Sequence, residues 1–177
     1  VTLDIEQWSA RILTDHTSVT FEPREGFGAV IDLGTTTLVV EIVDLSTGEI
    51  RSVLTGLNPQ GRNGSDVMSR IEFDLRSPGV LTERIRSTLG AMLAEAAQGR
   101  AISHVLLCGN TAMHHLFCGA SVEPLSYVPF HSPSLAAHTF AGRDLGWNAE
   151  SVTFLPCIGG FVGSDLLAGL IACGMDE

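Results

Sequence analysis

"AVIDLGTTTLVV", Ala29 to Val40, is the stretch on which the fold turns. An apolar run reaches Asp32, passes through Leu33-Gly34-Thr35-Thr36-Thr37, and resumes at Leu38 with no linker between. Two apolar strands joined so tightly read as a hairpin. Its tip has two readings. The threonines can serve β propensity at a plain polar turn. Alternatively, Gly34 to Thr37 form a cradle in which backbone N–H groups and hydroxyls converge on phosphate oxygens, while Asp32 holds Mg2+ through its waters. Gly34 would let the backbone come close to such a ligand.

Outward from the hairpin the pattern is regular. "GAVIDL", "TLVVEIVDL" and "IRSVLTGL" predict three consecutive strands, with "STGE" turning the second into the third. Beyond "NPQGRNGSD" the period changes. "DVMSRIEFDL" and "LTERIRSTLGAMLAEAAQ" place apolar residues at helical spacing, the second starting after Ser77-Pro78-Gly79 and ending at Gly99. "ISHVLLCG" predicts a fourth strand and "NTAMHHLF" a short helix closed by Gly119. A long irregular stretch from about residue 120 to 150 carries Pro124, Pro129 and Pro133. "SVTFLP" then predicts a fifth strand, and "FVGSDLLAGLIACG" a helix rich in small residues, stopped by Gly174. This order predicts an α/β fold: a ribonuclease-H-like mixed sheet, a three-strand meander plus two parallel strands, with helices on both faces. A Rossmann arrangement would put helices between the first strands. Residues 1–26 read as a lead-in from a preceding domain or linker, and 27–177 as the folded unit.

Among 177 residues there are ten Arg, no Lys and twenty acidic side chains, a formal charge of −10. Such a balance offers no basic stripe to nucleic acid or to an anionic membrane. No apolar run reaches the roughly 18 to 20 residues of a membrane span. Val1 opens a mixed polar segment without the layout of a secretory leader, and the missing initiator Met points to an excised piece of something longer. Without lysine, an anion must be held by backbone N–H groups, hydroxyls, Arg or a metal. Cys108, Cys118, Cys157 and Cys173 are widely spaced in apolar settings, which predicts reduced, buried thiols and a cytoplasmic protein.

A second signal lies in "GGFVGSDLLAGLIACG". A Gly-Gly turn follows a strand directly, Asp165 stands near the helix start, and Ala168, Gly169 and Ala172 keep one face thin for another backbone. The plain alternative is an acid complementing the helix dipole. Asn58, Gln60 and Asp66 either face the same cleft or shape a loop and cap a helix. Asn110 and Thr111 open a helix at a strand end, where an N-cap role and a phosphate contact are compatible. His114 and His115 point about 100° apart on a helix and do not form a metal pair, so a packed role is expected. His131 and His138 have no ligand set. Arg84 and Arg86 beside Glu83 read as a solvated helix face. The stretch Val122–Trp147, with Tyr127, Phe130 and Phe140, is either a contact surface or irregular packing.

The chain resembles the actin-like ATPase superfamily of acetate and sugar kinases, heat-shock chaperones and actin. That superfamily carries an Asp-x-Gly-Thr-Thr turn between its first two strands and a small-residue helix with an acid near its start. Within it, the order of "AVIDLGTTTLVVEIVDLSTGE", "NPQGRNGSDVMSRI", "GNTAMHHLF" and "GGFVGSDLLAGL" resembles the C-terminal domain of the reductive activators of corrinoid proteins. The resemblance implies ATP with Mg2+, used to support reduction of a corrinoid protein's cobalt(II) to cobalt(I). It implies a 2Fe-2S or other iron–sulfur cluster in the parent protein, outside this chain. It also implies that these residues form the first of two lobes around a cleft, the second lobe being absent here. Asp32 and Asp165 would then flank Mg2+ as the catalytic acids, with Gly34, Thr35, Thr36, Thr37, Asn110 and Thr111 at the phosphates. Such a lobe alone is expected to be inactive, and self-association as a homodimer is compatible with its exposed cleft. Two other classes share the fold: a non-catalytic interaction module, and a sugar- or acetate-kinase-like phosphotransferase lobe, for which no substrate base is evident.

Overall fold

A computed structural model describes residues 22–132 and 134–172. The lead-in up to residue 21, Pro133, Cys173 and the Gly174 stop lie outside the described residues.

The hairpin forms as its sequence demands. β1 (Phe27–Leu33) and β2 (Thr37–Asp44) pair antiparallel, closing on Leu33 opposite Leu38, and β3 (Ile50–Leu57) extends the meander. The end of the lead-in joins them, because the Arg24 N–H donates to the Leu45 carbonyl and the Leu45 N–H to that of Gly26. Two helices follow, α1 (Val67–Arg76) and α2 (Val80–Ala97), then β4 (Ile102–Gly109), which pairs with β1 in parallel. The short α3 (Thr111–Cys118) leads into a stretch with a strand of its own, β5 (His138–Ala141). β6 (Ala149–Phe154) lies parallel to β4, and α4 (Ser164–Ala172) ends the described chain. The strand order is β3-β2-β1-β4-β6-β5, a mixed sheet of the expected kind with one added edge strand.

β5 was not expected within an irregular, proline-containing stretch. Its four residues carry little signal of their own, and tertiary contacts hold them. Thr139 and Thr153 share a hydroxyl–hydroxyl bond of 2.9 Å, and Phe140 packs edge-on against Phe117. Gly142 passes so close to Ala149 that any Cβ would sit 1.9 Å from its carbonyl oxygen.

The core lies on one face of the sheet. Ile31, Leu33, Leu38, Val40, Val105, Leu107, Val152 and Phe154 meet Leu81, Ile85, Leu89 and Leu93 of α2 and Met113, Leu116 and Phe117 of α3, all buried. The four α2 residues repeat every fourth position, a stripe on which each side chain contributes about 1.5–3 kcal/mol by burial. Helix ends follow local rules: Asp66 accepts from the Ser69 N–H in a capping box, Asn110 accepts from the Met113 N–H, and Gly119 closes α3 at φ 73°. α4 contacts β4, and its Asp165 approaches Asp32 and Cys108 on the second face. Elsewhere that face is open, with Val30, Val53 and Leu106 exposed. The expected helices on both faces are unevenly spread: among the described residues the cover is one-sided over most of the sheet. No helix among them is long and apolar enough to cross a membrane.

Candidate functional site

Where β1 and β4 end side by side, three segments meet: the Gly34–Thr37 turn, the start of α3, and the start of α4. The turn is tight. The Gly34 N–H donates to the Thr37 carbonyl at 3.1 Å, and a Cβ on Gly34 would stand 2.6 Å from that oxygen, so only glycine fits without a shift. Asn58, at the end of β3, braces it from below: its N–H donates to the Thr36 carbonyl at 2.8 Å and its side-chain amide to the Gly34 carbonyl at 2.9 Å. The Asn110 amide donates to the Thr35 hydroxyl at 3.0 Å while its oxygen caps α3. The Asn58 bonds engage two of the turn's carbonyls, and the Asn110 bond its Thr35 hydroxyl. Among the described residues no backbone acceptor takes the N–H of Thr35 or Thr36, and Thr36 and Thr37 face solvent.

α4 reaches the same place through close backbone contact. A Cβ on Gly163 would lie 2.0 Å from the Gly109 carbonyl oxygen, and the buried Ser164 hydroxyl lies within bonding distance of the Gly109 N–H, at 3.2 Å, and carbonyl, at 3.3 Å. Thr111 is fully buried and its hydroxyl donates to the Gly159 carbonyl at 2.6 Å, tying the loop before α4 to the start of α3. Thr111 therefore positions the site by its side chain. Asp165 is thereby brought to the exposed rim near Asp32, which stands at the end of β1 on the open face.

The two acids influence each other. Partial desolvation in the cleft, and then the charge of Asp165, raise the Asp32 carboxyl above its ordinary value. Cys108 is the register partner of Asp32 on β4; burial first, then the charges of Asp32 and Asp165, push its thiol up to about 12. It therefore stays protonated. Among the described residues no three His, Cys, Asp or Glu side chains gather into a metal-holding group. A carboxylate pair beside two backbone N–H groups without a backbone acceptor is instead a donor set that would suit Mg2+, which keeps waters and shares its ligands with phosphate groups.

Other candidates resolve differently. Asn58 and Gln60 are buried, with Gln60 donating to the Leu81 carbonyl at 3.2 Å, so both build the wall behind the turn. Asp66 is the α1 cap. His114 and His115 are packed as expected: the ring nitrogens of His115 meet the Ser121 carbonyl and the Ser132 hydroxyl at 2.6 Å each, and His114 stands edge-on to Phe154. Arg86 is no solvated side chain. Its Nε donates to the Phe117 carbonyl at 2.8 Å and its guanidinium lies over Phe117 and Phe140, while Arg84 reaches Asn63. The Val122–Trp147 stretch divides: Phe140 and Trp147 pack inward, and Tyr127 and Val128 stay exposed. A buried residue that the sequence did not single out is Arg70, behind Met113 and Asn58.

Residues 27–177 match the family model described as the RACo middle region. The chain belongs to that family. A relative of this RACo middle region is the corrinoid activation enzyme RamQ of Eubacterium limosum, 32% identical over 162 residues, which cover 85% of this chain and 27% of that protein. Among solved structures, a reductive activator for a corrinoid iron–sulfur protein is similar at a TM-score of 0.78 and 26% identity, covering 89% of this chain and 26% of that one. The RACo middle region thus spans about a quarter of the length of these relatives.

Proposed function

We propose that this domain is the first lobe of an actin-like ATPase, supplying the phosphate-binding half of a Mg–ATP site in a protein that reactivates a corrinoid protein in the cytoplasm. The observation that carries the reading is the meeting of Asp32 and Asp165 beside an N–H-lined turn, at the ends of β1 and α4. Membership of the RACo middle region, and relatives named for corrinoid activation, support the wider role. In this reading Asp32 and Asp165 hold Mg2+ through its waters, and Asp165 also orients the attacking water. The amides and hydroxyls of Thr35 and Thr36 donate to phosphate oxygens, Thr37 closes the turn, and Gly34 admits them. Asn110 and Thr111 present the start of α3 to the same anion. Mg2+, when bound, offsets the phosphate charge that two carboxylates would otherwise repel. ATP binding and hydrolysis then support the transfer of an electron from an iron–sulfur domain elsewhere in the parent protein to the substrate cobalt(II), giving cobalt(I).

The direct test is calorimetric titration of the full-length protein with ATP and Mg2+, against Asp32→Ala. Binding is expected to fall at least tenfold in the variant, with its circular dichroism unchanged. Wild-type affinity in a folded Asp32→Ala protein would remove Asp32 from the site.

A further inference from the structure

Arg70 of α1 is buried to 1% exposure, yet among the described residues it has no carboxylate in salt-bridge range. Its Nε donates to the Gly64 carbonyl at 2.9 Å; its Nη1 lies 3.5 Å from the Gln60 side-chain oxygen and 3.7 Å from the Met113 sulfur. Its Nη2 has no hydrogen-bond partner among them and faces Gly61, where a Cβ would stand 3.9 Å away. Asp66, the acid nearest in sequence, turns its oxygens to the Ser69 N–H and the Ser65 hydroxyl as the helix cap. A guanidinium does not shed its proton to escape burial, so the domain keeps an interior cation that no ion pair neutralises, Asp66 acting on it only across space. An apolar side chain of similar length could fill the same volume without that cost.

The position of the charge gives it a use. The Met113 sulfur that Nη1 touches is also touched, at 3.7 Å, by the side-chain amide of Asn58, and that same amide donates to the Gly34 carbonyl. Two side chains in series, Met113 and Asn58, therefore separate the guanidinium from the phosphate turn. The opposite side of the turn carries Asp32 and Asp165, which repel an approaching polyphosphate. We infer that Arg70 is the buried counter-charge of the phosphate turn, a positioning residue that favours nucleotides with more phosphates without touching them. This rests on the reading of the turn as a phosphate site. The field of a fixed, desolvated cation at this range acts on charge and is indifferent to the nucleoside.

The experiment titrates the full-length protein by calorimetry with adenosine, ADP and ATP, each with Mg2+, in wild type, Arg70→Met and Arg70→Lys, and records melting without nucleotide. Arg70→Met is expected to lose about tenfold in ATP affinity, less for ADP and nothing for adenosine, and to melt no lower than wild type. Arg70→Lys, which keeps the charge but not the Nε bond to Gly64, is expected to restore most of the ATP affinity. Equal loss for all three ligands, an unchanged ATP affinity, or failure of Arg70→Lys to rescue would overturn the inference. If Arg70→Met does not fold, Arg70→Gln replaces it; if neither neutral variant folds, Arg70 is a structural peg and the inference fails. A wild type that binds no nucleotide sinks the phosphate-site reading itself, whereas a wild type that binds ATP with Arg70→Met identical to it sinks only the role of Arg70.

Discussion

Asp32 sits where the free domain would be more stable without its charge. Its carboxyl is raised above 3.8 by desolvation and by Asp165, so the folded state keeps this proton to higher pH than the unfolded chain does. Stability from this group is therefore present at low pH and lost as pH rises from 3.8 through the raised value. Asp32→Asn should then stabilise the nucleotide-free protein near neutral pH by ~0.5 kcal/mol, a small figure because the carboxyl faces solvent. The gain should vanish well below 3.8, and Mg–ATP binding should be lost. Urea unfolding at the two pH values reads the first effect and calorimetry the second; a variant less stable at neutral pH would contradict the assigned shift. Both candidate acids were legible in the sequence because each stands beside a glycine turn at a strand end, Asp32 just before Gly34 and Asp165 just after Gly163. Arg70 was not. Its place in "DVMSRIEF" gives it the polarity of a surface residue, and it is the wrap of residues 58–64 around α1, with Met113 of α3, that buries it.

At the scale of elements, α3 carries the clearest titration. Its neighbouring histidines are both fully buried, and among the described residues neither ring nitrogen of His114 has a hydrogen-bond partner. Burial first, then the proximity of His115, lowers His114 to about 4, and burial lowers His115 as well. A folded-state value below the unfolded 6.5 means that the unfolded chain takes up the proton first as pH falls. Stability should therefore decline between 6.5 and about 4, by up to ~3 kcal/mol from His114. His114→Leu should give a visibly shallower acid limb in chemical unfolding, the remainder coming from His115. An unchanged limb would mean that His114 is not the group being titrated. The helices themselves were readable from apolar spacing and caps, down to Gly119. β5 and the inward Arg86 were not, because both depend on Phe117, Phe140 and Trp147 converging from separate segments. No local pattern announces a four-residue edge strand held in that way.

On the scale of the molecule, one face of the sheet is packed and the other mostly open, and the candidate site lies at the open side's edge. Thr36, Thr37 and Asp165 are exposed, and a side chain added at Gly169 on α4 would meet nothing among the described residues. At Gly169, then, no backbone of the described residues packs against α4. Small-molecule sites commonly enclose some 70–90% of their ligand; in the proposed reading the turn takes the phosphates, and the exposed Thr36, Thr37 and Asp165 around it leave much of a nucleotide to be enclosed from elsewhere. A lobe of this shape should hold the anionic end of a nucleotide weakly, with the rest of the affinity coming from a second lobe. The measurable consequence is a gap in binding strength. Mg–ATP should bind this domain, prepared as residues 27–177, about a hundredfold more weakly than the full-length protein, some 3 kcal/mol. Weak binding to the domain should still disappear on Asp32→Ala, since the phosphate contacts are its own. Parallel titrations by calorimetry decide the matter: equal affinity would mean that the site is complete within these residues, and the two-lobe reading would fall.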